Sequence, residues 1–297
     1  FFGGGSPSIL EPEEISSILS KFNKKKEYEI TIECNPEDID EKKTSAYLEK
    51  GINRFSLGVQ SLNEFELKTL KRRHSKEKAL KVLKILKEKT ENFNCDLIVG
   101  IKGQSKKTLK DTLEEITSYS TPHLSLYPLE MKKNKNLMEK DEKKAELLEF
   151  AWNFLKKKGY IHYEISNFAK EGFQCRHNLG YWKGKKYMGF GPSAHSFLKN
   201  FRFKNTENLE IYIKNLMKGK LSFHKLENLS KNDMEWEKFI LSLRTCEGWK
   251  FNKSKKEKLS EFIKEGFLEK SGDFIKITEK GMLVYNQIII KLSEIFF

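Results

Sequence analysis

Arginine is scarce in this chain, and closely spaced cysteine is absent. Of 56 basic residues among 297, only Arg54, Arg72, Arg73, Arg176, Arg202 and Arg244 are arginines. The rest are lysines, scattered through stretches such as KFNKKKEYE, MKKNKN and NKSKKEK. Base edges and bidentate phosphate contacts favour the planar guanidinium fork. The net charge of +14 therefore reads as a solvated lysine surface and argues against nucleic acid as the partner. Cys34, Cys95, Cys175 and Cys246 are separated by 61, 80 and 71 residues, which excludes a CxxC pair, a zinc ribbon or a contiguous iron–sulfur motif within this stretch. Cys34 and Cys95 lie in apolar runs, where a small buried thiol is the expectation, and such usage fits a reducing, cytoplasmic setting. No apolar run is long enough to cross a bilayer; the most apolar segment, YNQIIIKLSEIFF, is broken by Lys291 and Glu294. Phe1-Phe2 show neither a basic n-region nor a long apolar h-region, so no secretory leader is legible. A Walker A loop and a GxGxxG fingerprint are also missing.

What is present is a βα rhythm. Apolar runs at 28–34, 52–60, 94–101, 123–130 and 161–166 alternate with helical patterns at 13–22, 40–50, 76–89, 105–119 and 143–158. That order predicts an α/β fold on a parallel sheet, either open and doubly wound or a barrel. Polar residues gather where the strands should end: Glu33 and Asn35, Gln60 and Ser61, Tyr127 and Glu130. In both architectures the carboxyl ends of the strands build the site. Beyond about residue 201 the chain becomes lysine-rich and reads as mainly helical. Its last part runs helix, short strand, turn at Ser271-Gly272-Asp273, short strand, helix, a winged-helix-like order. A winged helix can hold DNA, but Arg244 is the one arginine from Ser230 onward, so a structural role is the better reading and nucleic-acid contact the lesser alternative.

The chain opens FFGGGSPS. Three glycines let the backbone turn with φ > 0 and let a ligand approach the main chain; alone, the run is no more than a tight βα turn. It is followed, in order, by IECNPED, GVQSLNEFELKTLKRRH, DLIVGIKGQ and LSLYPLEM, and later by HYEISNFA, HNLGYW and GFGPSAHS. This series resembles the HemN/HemW family of radical S-adenosylmethionine (SAM) proteins, over Phe1 to about Ser196. The resemblance implies an incomplete (β/α) TIM-like barrel at 1–200, lacking the first strand and cluster loop, and a HemN-type C-terminal domain at 201–297.

It further implies a SAM site made by Gly4, Gly5, Ser6, Glu33, Gln60, Arg72 and Asp96. Arg72 would pair a carboxylate, and Glu33 or Asp96 an ammonium or ribose hydroxyls. Ser6 stands where the family writes Thr, and Lys102 where it writes Pro. The family's CxxxCxxC motif, which holds a [4Fe–4S] cluster bound by SAM, lies upstream of the glycine motif and is not in this sequence. The expectation is thus a fragment of a longer protein, with Phe1-Phe2 as the second barrel strand and no metal ligands in this chain. Two activities share the frame: a chaperone that binds heme and delivers it to client hemoproteins, and an oxygen-independent coproporphyrinogen III oxidase of porphyrin biosynthesis. HNLGYW is similar to the chaperone-type HNxxYW motif, which favours the first. His177 would then be a candidate iron ligand, Tyr181 and Trp182 would stack on the macrocycle, and Cys175 is a second, weaker ligand candidate. A homodimer is compatible with the resemblance.

Overall fold

Strands of the first half sort their side chains by polarity with a period of two. In the computed structural model, which describes residues 1–23, 27–130, 135–250 and 256–296, β1 (Thr31–Cys34), β2 (Arg54–Gln60), β3 (Phe93–Val99) and β4 (His123–Pro128) are parallel neighbours. A hairpin of β5 (Ile161–Glu164) and β6 (Asn167–Ala169) joins antiparallel to β4, giving the order β1-β2-β3-β4-β6-β5. One set of alternate positions is apolar and buried: Ile32 and Cys34, Phe55, Leu57 and Val59, Phe93, Cys95, Leu97 and Val99, Leu124 and Leu126. The other set carries Glu33, Arg54, Ser56, Gln60, Asn94, Asp96, His123 and Ser125. A parallel sheet covered by helices on both faces reads as unbroken apolar runs. Here only one face does, and the other presents a polar interior.

Helices α1 (Pro12–Leu19), α2 (Glu41–Glu49), α4 (Lys76–Lys89), α5 (Lys106–Ser118) and α6 (Asp141–Lys157) lie where the sequence reading expects them, with the short α3 (Glu64–Thr69) between β2 and α4. Several start on a side-chain cap: Asp40 accepts from Lys43 N at 2.8 Å, Asn63 from Glu66 N at 3.1 Å and Ser75 from Lys78 N at 3.3 Å. Each satisfies an orphan N–H of the first turn. Phe2 makes a single parallel bridge to Ile32, donating to Thr31 O at 2.8 Å and accepting from Glu33 N at 3.0 Å. Helix α3 and strand β6 have no counterpart in the sequence reading: α3 is too short for a period to show, and β6 pairs antiparallel across a tight turn.

Glu66 ties two strand ends together. Buried on α3, it accepts from Ser61 Oγ at 2.6 Å, Gln104 Nε2 at 2.9 Å and Thr108 Oγ1 at 2.7 Å. Gln104 in turn accepts from Gly100 N at 2.7 Å. The turns after β2 and β3 are thereby fixed to each other and to the start of α5.

The chain divides into two compact units, Phe1–Cys175 and Arg176–Phe297. A division at 200, expected from the sequence, would cut a hairpin: β7 (His195–Leu198) pairs with β8 (Phe201–Asn205), Leu198 facing Phe201. With β9 (Phe223–Asn228) they make an antiparallel sheet in a stretch read as helical. The second unit also holds α7 (Arg176–Trp182), α8 (Leu209–Met217), α9 (Lys231–Leu243), α10 (Lys256–Lys264), α11 (Glu279–Leu283) and α12 (Tyr285–Phe296). Strands β10 (Trp249–Lys250), β11 (Leu268–Ser271) and β12 (Phe274–Ile277) form a sheet ordered β10-β12-β11. Phe239, Leu243, Leu259, Phe262, Leu268, Ile275 and Leu292 pack as its core, the winged-helix-like order expected. No described helix is long and apolar enough to cross a membrane.

Truncating Glu66 strands three donors. Glu66→Ala should cost about 3 kcal/mol of stability and Glu66→Gln about 1–2 kcal/mol, read from urea unfolding followed by circular dichroism. Equal, negligible losses would show that the clasp is not needed.

Candidate functional site

One directed chain of hydrogen bonds runs across the polar face of the sheet. Asn94 Nδ2 donates to Asp96 Oδ1 at 2.8 Å and to Ser56 Oγ at 2.7 Å, and Ser56 Oγ donates to Asp96 Oδ2 at 3.0 Å. With its amide so engaged, Asn94 Oδ1 must accept, and it lies 2.6 Å from His123 Nδ1. His123 Nε2 is left to accept from the Tyr163 hydroxyl at 2.7 Å, which itself accepts from Cys175 N at 3.2 Å. This fixes the histidine tautomer. Burial, with a smaller push from Arg54, holds His123 well below the ordinary imidazole range, so it is neutral, as the chain requires. Arg54 is 2% exposed and its Nε has no hydrogen-bond partner.

At the carboxyl end of this face sits the glycine turn. Gly4 and Gly5 have φ of +77° and +67°, and a Cβ on either would meet nothing within 4 Å. The turn is open, and conformation rather than crowding asks for glycine. Gly4 N donates to Glu33 Oε2 at 3.1 Å, and Asn35 Nδ2 donates to Ser6 Oγ and to Asp38 Oδ2, each at 3.1 Å. The turn is thus tied to the end of β1. Glu33 faces Ser56 across the β1–β2 ladder, and Ser56 bonds Asp96, so two carboxylates flank one hydroxyl. Burial raises the carboxyl of Glu33, its bond from Gly4 N opposing and nearby Asp96 adding to the rise. Burial also raises Asp96, against its bonds from Ser125, Asn94 and Ser56 and the charge of Arg54.

Gln60 ends β2 with φ +66°, and its amide folds back over Gly58, where a Cβ would stand 2.8 Å from Nε2. Arg72 follows α3, half-buried, its N bonded to Leu67 O at 2.9 Å. Its guanidinium has no hydrogen bond or ion pair of its own among the described residues. Named bonds thus join Gly4 to Glu33, Ser6 to Asn35, and Asp96 to Ser56 and Asn94, with Glu33 the ladder neighbour of Ser56. Gln60 and Arg72 belong to the neighbouring turn that Glu66 fixes.

His123, Asn94, Ser56 and Tyr163 were not singled out in the sequence, although alternate polar positions in NRFSLGVQ, NCDLIVG and HLSLYP carry the signal. His74, also passed over, is buried with Nε2 at 3.1 Å from Val59 O and Nδ1 at 3.3 Å from Glu37.

The second unit holds a separate cleft of about 720 Å³. Tyr181, Trp182, Tyr187 and Phe197 form aromatic walls, and six lysine or arginine residues line it against a single acid, Glu237. Tyr181 meets Tyr187 edge to face at 4.6 Å, and Arg244 lies 4.3 Å over the Trp182 ring. His177 is one helical turn before Tyr181, edge to face with it at 4.7 Å. It stands behind the lining rather than in it. Cys175 closes the first unit, buried, its thiol donating to Glu29 Oε1 at 3.6 Å. Among the described residues no group of three or more His, Cys, Asp or Glu is arranged to hold a metal.

The description "Radical SAM superfamily" matches residues 1–116. A protein named Heme chaperone HemW from Buchnera aphidicola (subspecies Schizaphis graminum) is 33% identical over 312 residues, covering 97% of this chain and 82% of its own. One of the same name from Lactococcus lactis is 29% identical, with coverages of 98% and 83%. Among solved structures, coproporphyrinogen III oxidase (HemN) from Escherichia coli superposes with a TM-score of 0.83 at 20% identity, over 98% of this chain and 76% of that one. That likeness shows the fold: a radical SAM partial barrel.

The raised carboxyl of Glu33 has a consequence for stability. A carboxyl with a raised native value favours folding when protonated, and that contribution is lost as pH rises from 4.5 through the native value. Glu33→Gln should therefore raise the melting temperature at pH 7, with the gain vanishing below about pH 4.5. Melting curves of both chains from pH 3.5 to 7.5 check this; a pH-independent difference would contradict it.

Proposed function

Because the chain belongs to the HemW family of the radical SAM superfamily, we propose that it binds heme and passes it to client hemoproteins. The observation that carries this reading is the cleft of about 720 Å³ built on the HNLGYW segment. Its volume lies within the roughly 300–1,000 Å³ of small-molecule and cofactor sites. Aromatic walls suit the faces of a planar macrocycle, and a cationic lining suits its carboxylates. Tyr181 and Trp182 supply walls; His177, the candidate iron ligand, stands outside the lining against Tyr181, so ligation requires that ring to turn aside.

The superfamily implies SAM and a [4Fe–4S] cluster. The first-unit residues fit SAM: an open glycine turn offers main-chain groups, Glu33 and Asp96 offer acceptors, and Arg72 offers an uncommitted cation for a carboxylate. Bound together, SAM and cluster supply one-electron chemistry. The cysteines of this stretch do not fit the cluster. Cys34 and Cys95 lie on the apolar side of the sheet, Cys175 bonds Glu29, and Cys246 belongs to the second unit. Here the protein's own groups hold and orient SAM, and no step of heme handling is assigned to it.

Hemin titration followed by the heme absorbance band and by tryptophan fluorescence tests the reading. Tyr181→Ala and Trp182→Ala should each weaken binding about tenfold, and His177→Ala should shift the absorbance band. Absence of hemin binding would overturn the proposal. Anaerobic conversion of coproporphyrinogen III by a form carrying the CxxxCxxC motif would favour the oxidase instead.

A further inference from the structure

The acid in the cleft is placed where a ligand's carboxylate would go. Arg202, on β8, projects from the sheet face that also carries Phe197, its guanidinium carbon 5.6 Å from the Phe197 ring centre. From α9, Glu237 closes a two-pronged pair with it: Nη1 donates to Oε1 and Nη2 to Oε2, each at 2.7 Å. Both line the cleft, with side chains 31% and 21% exposed. Lys183 is likewise engaged, 2.7 Å from Glu247. Lys185, Lys186, Lys199 and Lys238 have no ion-pair partner among the described residues. The lining thus carries uncommitted positive charge around one guanidinium already occupied by the protein's own carboxylate.

We propose that Arg202 is the specificity-determining residue of this cleft, reading a propionate of the bound macrocycle in exchange for Glu237. The inference rests on the heme reading and goes beyond it by assigning a ligand class: planar tetrapyrroles with at least two free carboxylates. A ligand without carboxylates cannot repay the broken pair, because removing Glu237 from Arg202 leaves a part-buried cation without its partner. A dianionic ligand repays it twice, once by replacing the forked contact on Arg202 and again by pairing with the uncommitted lysines. Glu237 therefore acts as a resident competitor for Arg202: a ligand carboxylate can take its place, whereas an esterified or neutral macrocycle of the same shape leaves the pair closed and gains nothing from the guanidinium.

The test compares hemin with hemin dimethyl ester, which has the same macrocycle and iron but no charge on its side arms. The unaltered chain should bind hemin at least about tenfold more tightly than the ester, with the ratio shrinking as salt is raised. Glu237→Gln removes the competing charge while keeping a hydrogen-bonding group. It should tighten hemin about three- to tenfold and leave the ester unchanged. Arg202→Gln should bring the two ligands toward equal affinity. Thermal melting of each variant separates a folding defect from a binding effect, and the comparison on the unaltered chain needs no variant. Equal binding of hemin and ester by the unaltered chain overturns the inference while leaving the heme reading intact. So does a Glu237→Gln effect that is absent or the same for both ligands. Failure of hemin to bind removes the heme reading and this inference with it.

Discussion

The buried carboxylate of Asp96 is the constraint around which the first unit is built. A charge in the interior of a sheet must be met by donors or it neutralises. Here Asn94, on the same strand, and Ser56, on the neighbouring β2, supply them. Once Asn94 commits its amide to Asp96, the donor and acceptor roles of His123, Tyr163 and the Cys175 amide follow without choice. A single buried charge thereby orders groups from β2, β3, β4 and β5 and from the end of the first unit. Apolar packing is concentrated on the opposite face, where eleven strand positions are apolar and buried.

Around that centre the strand ends are fixed by short-range devices that differ in kind. The glycine turn is held by a main-chain bond to Glu33 and a side-chain bond from Asn35. The β2 and β3 turns are held by Glu66, a buried carboxylate with three neutral donors. Both arrangements confine the turns to one geometry.

Much of this was legible in the sequence because the governing patterns are local. Five of the six strands of the first sheet announce themselves as short apolar runs, and all but one of its helices by their pattern. The ordered series of motifs, and the polar residues gathered where the strands end, pointed to the rim at the carboxyl ends of the strands. What was not legible depends on contacts distant in sequence. His123 acquires meaning from Asn94 and Tyr163, 29 and 40 residues away. The β7–β9 sheet lies in lysine-rich sequence whose alternation is blurred by exposed positions on both faces, so it passed for helix. The boundary at Arg176 was missed for the same reason: the hairpin spanning residue 200 is held by pairing, not by composition. Cleft residues Arg202 and Glu237 are 35 apart, and no spacing rule joins them.

The placement of the thiols carries a further meaning. Cys34 and Cys95 lie within the sheet, where burial pushes both thiols far above neutrality, and Cys246, the exposed one, is also raised. Thiolate is the form that reacts with peroxide and captures soft metals. Burial holds these cysteines toward the protonated form, the one less open to either reaction.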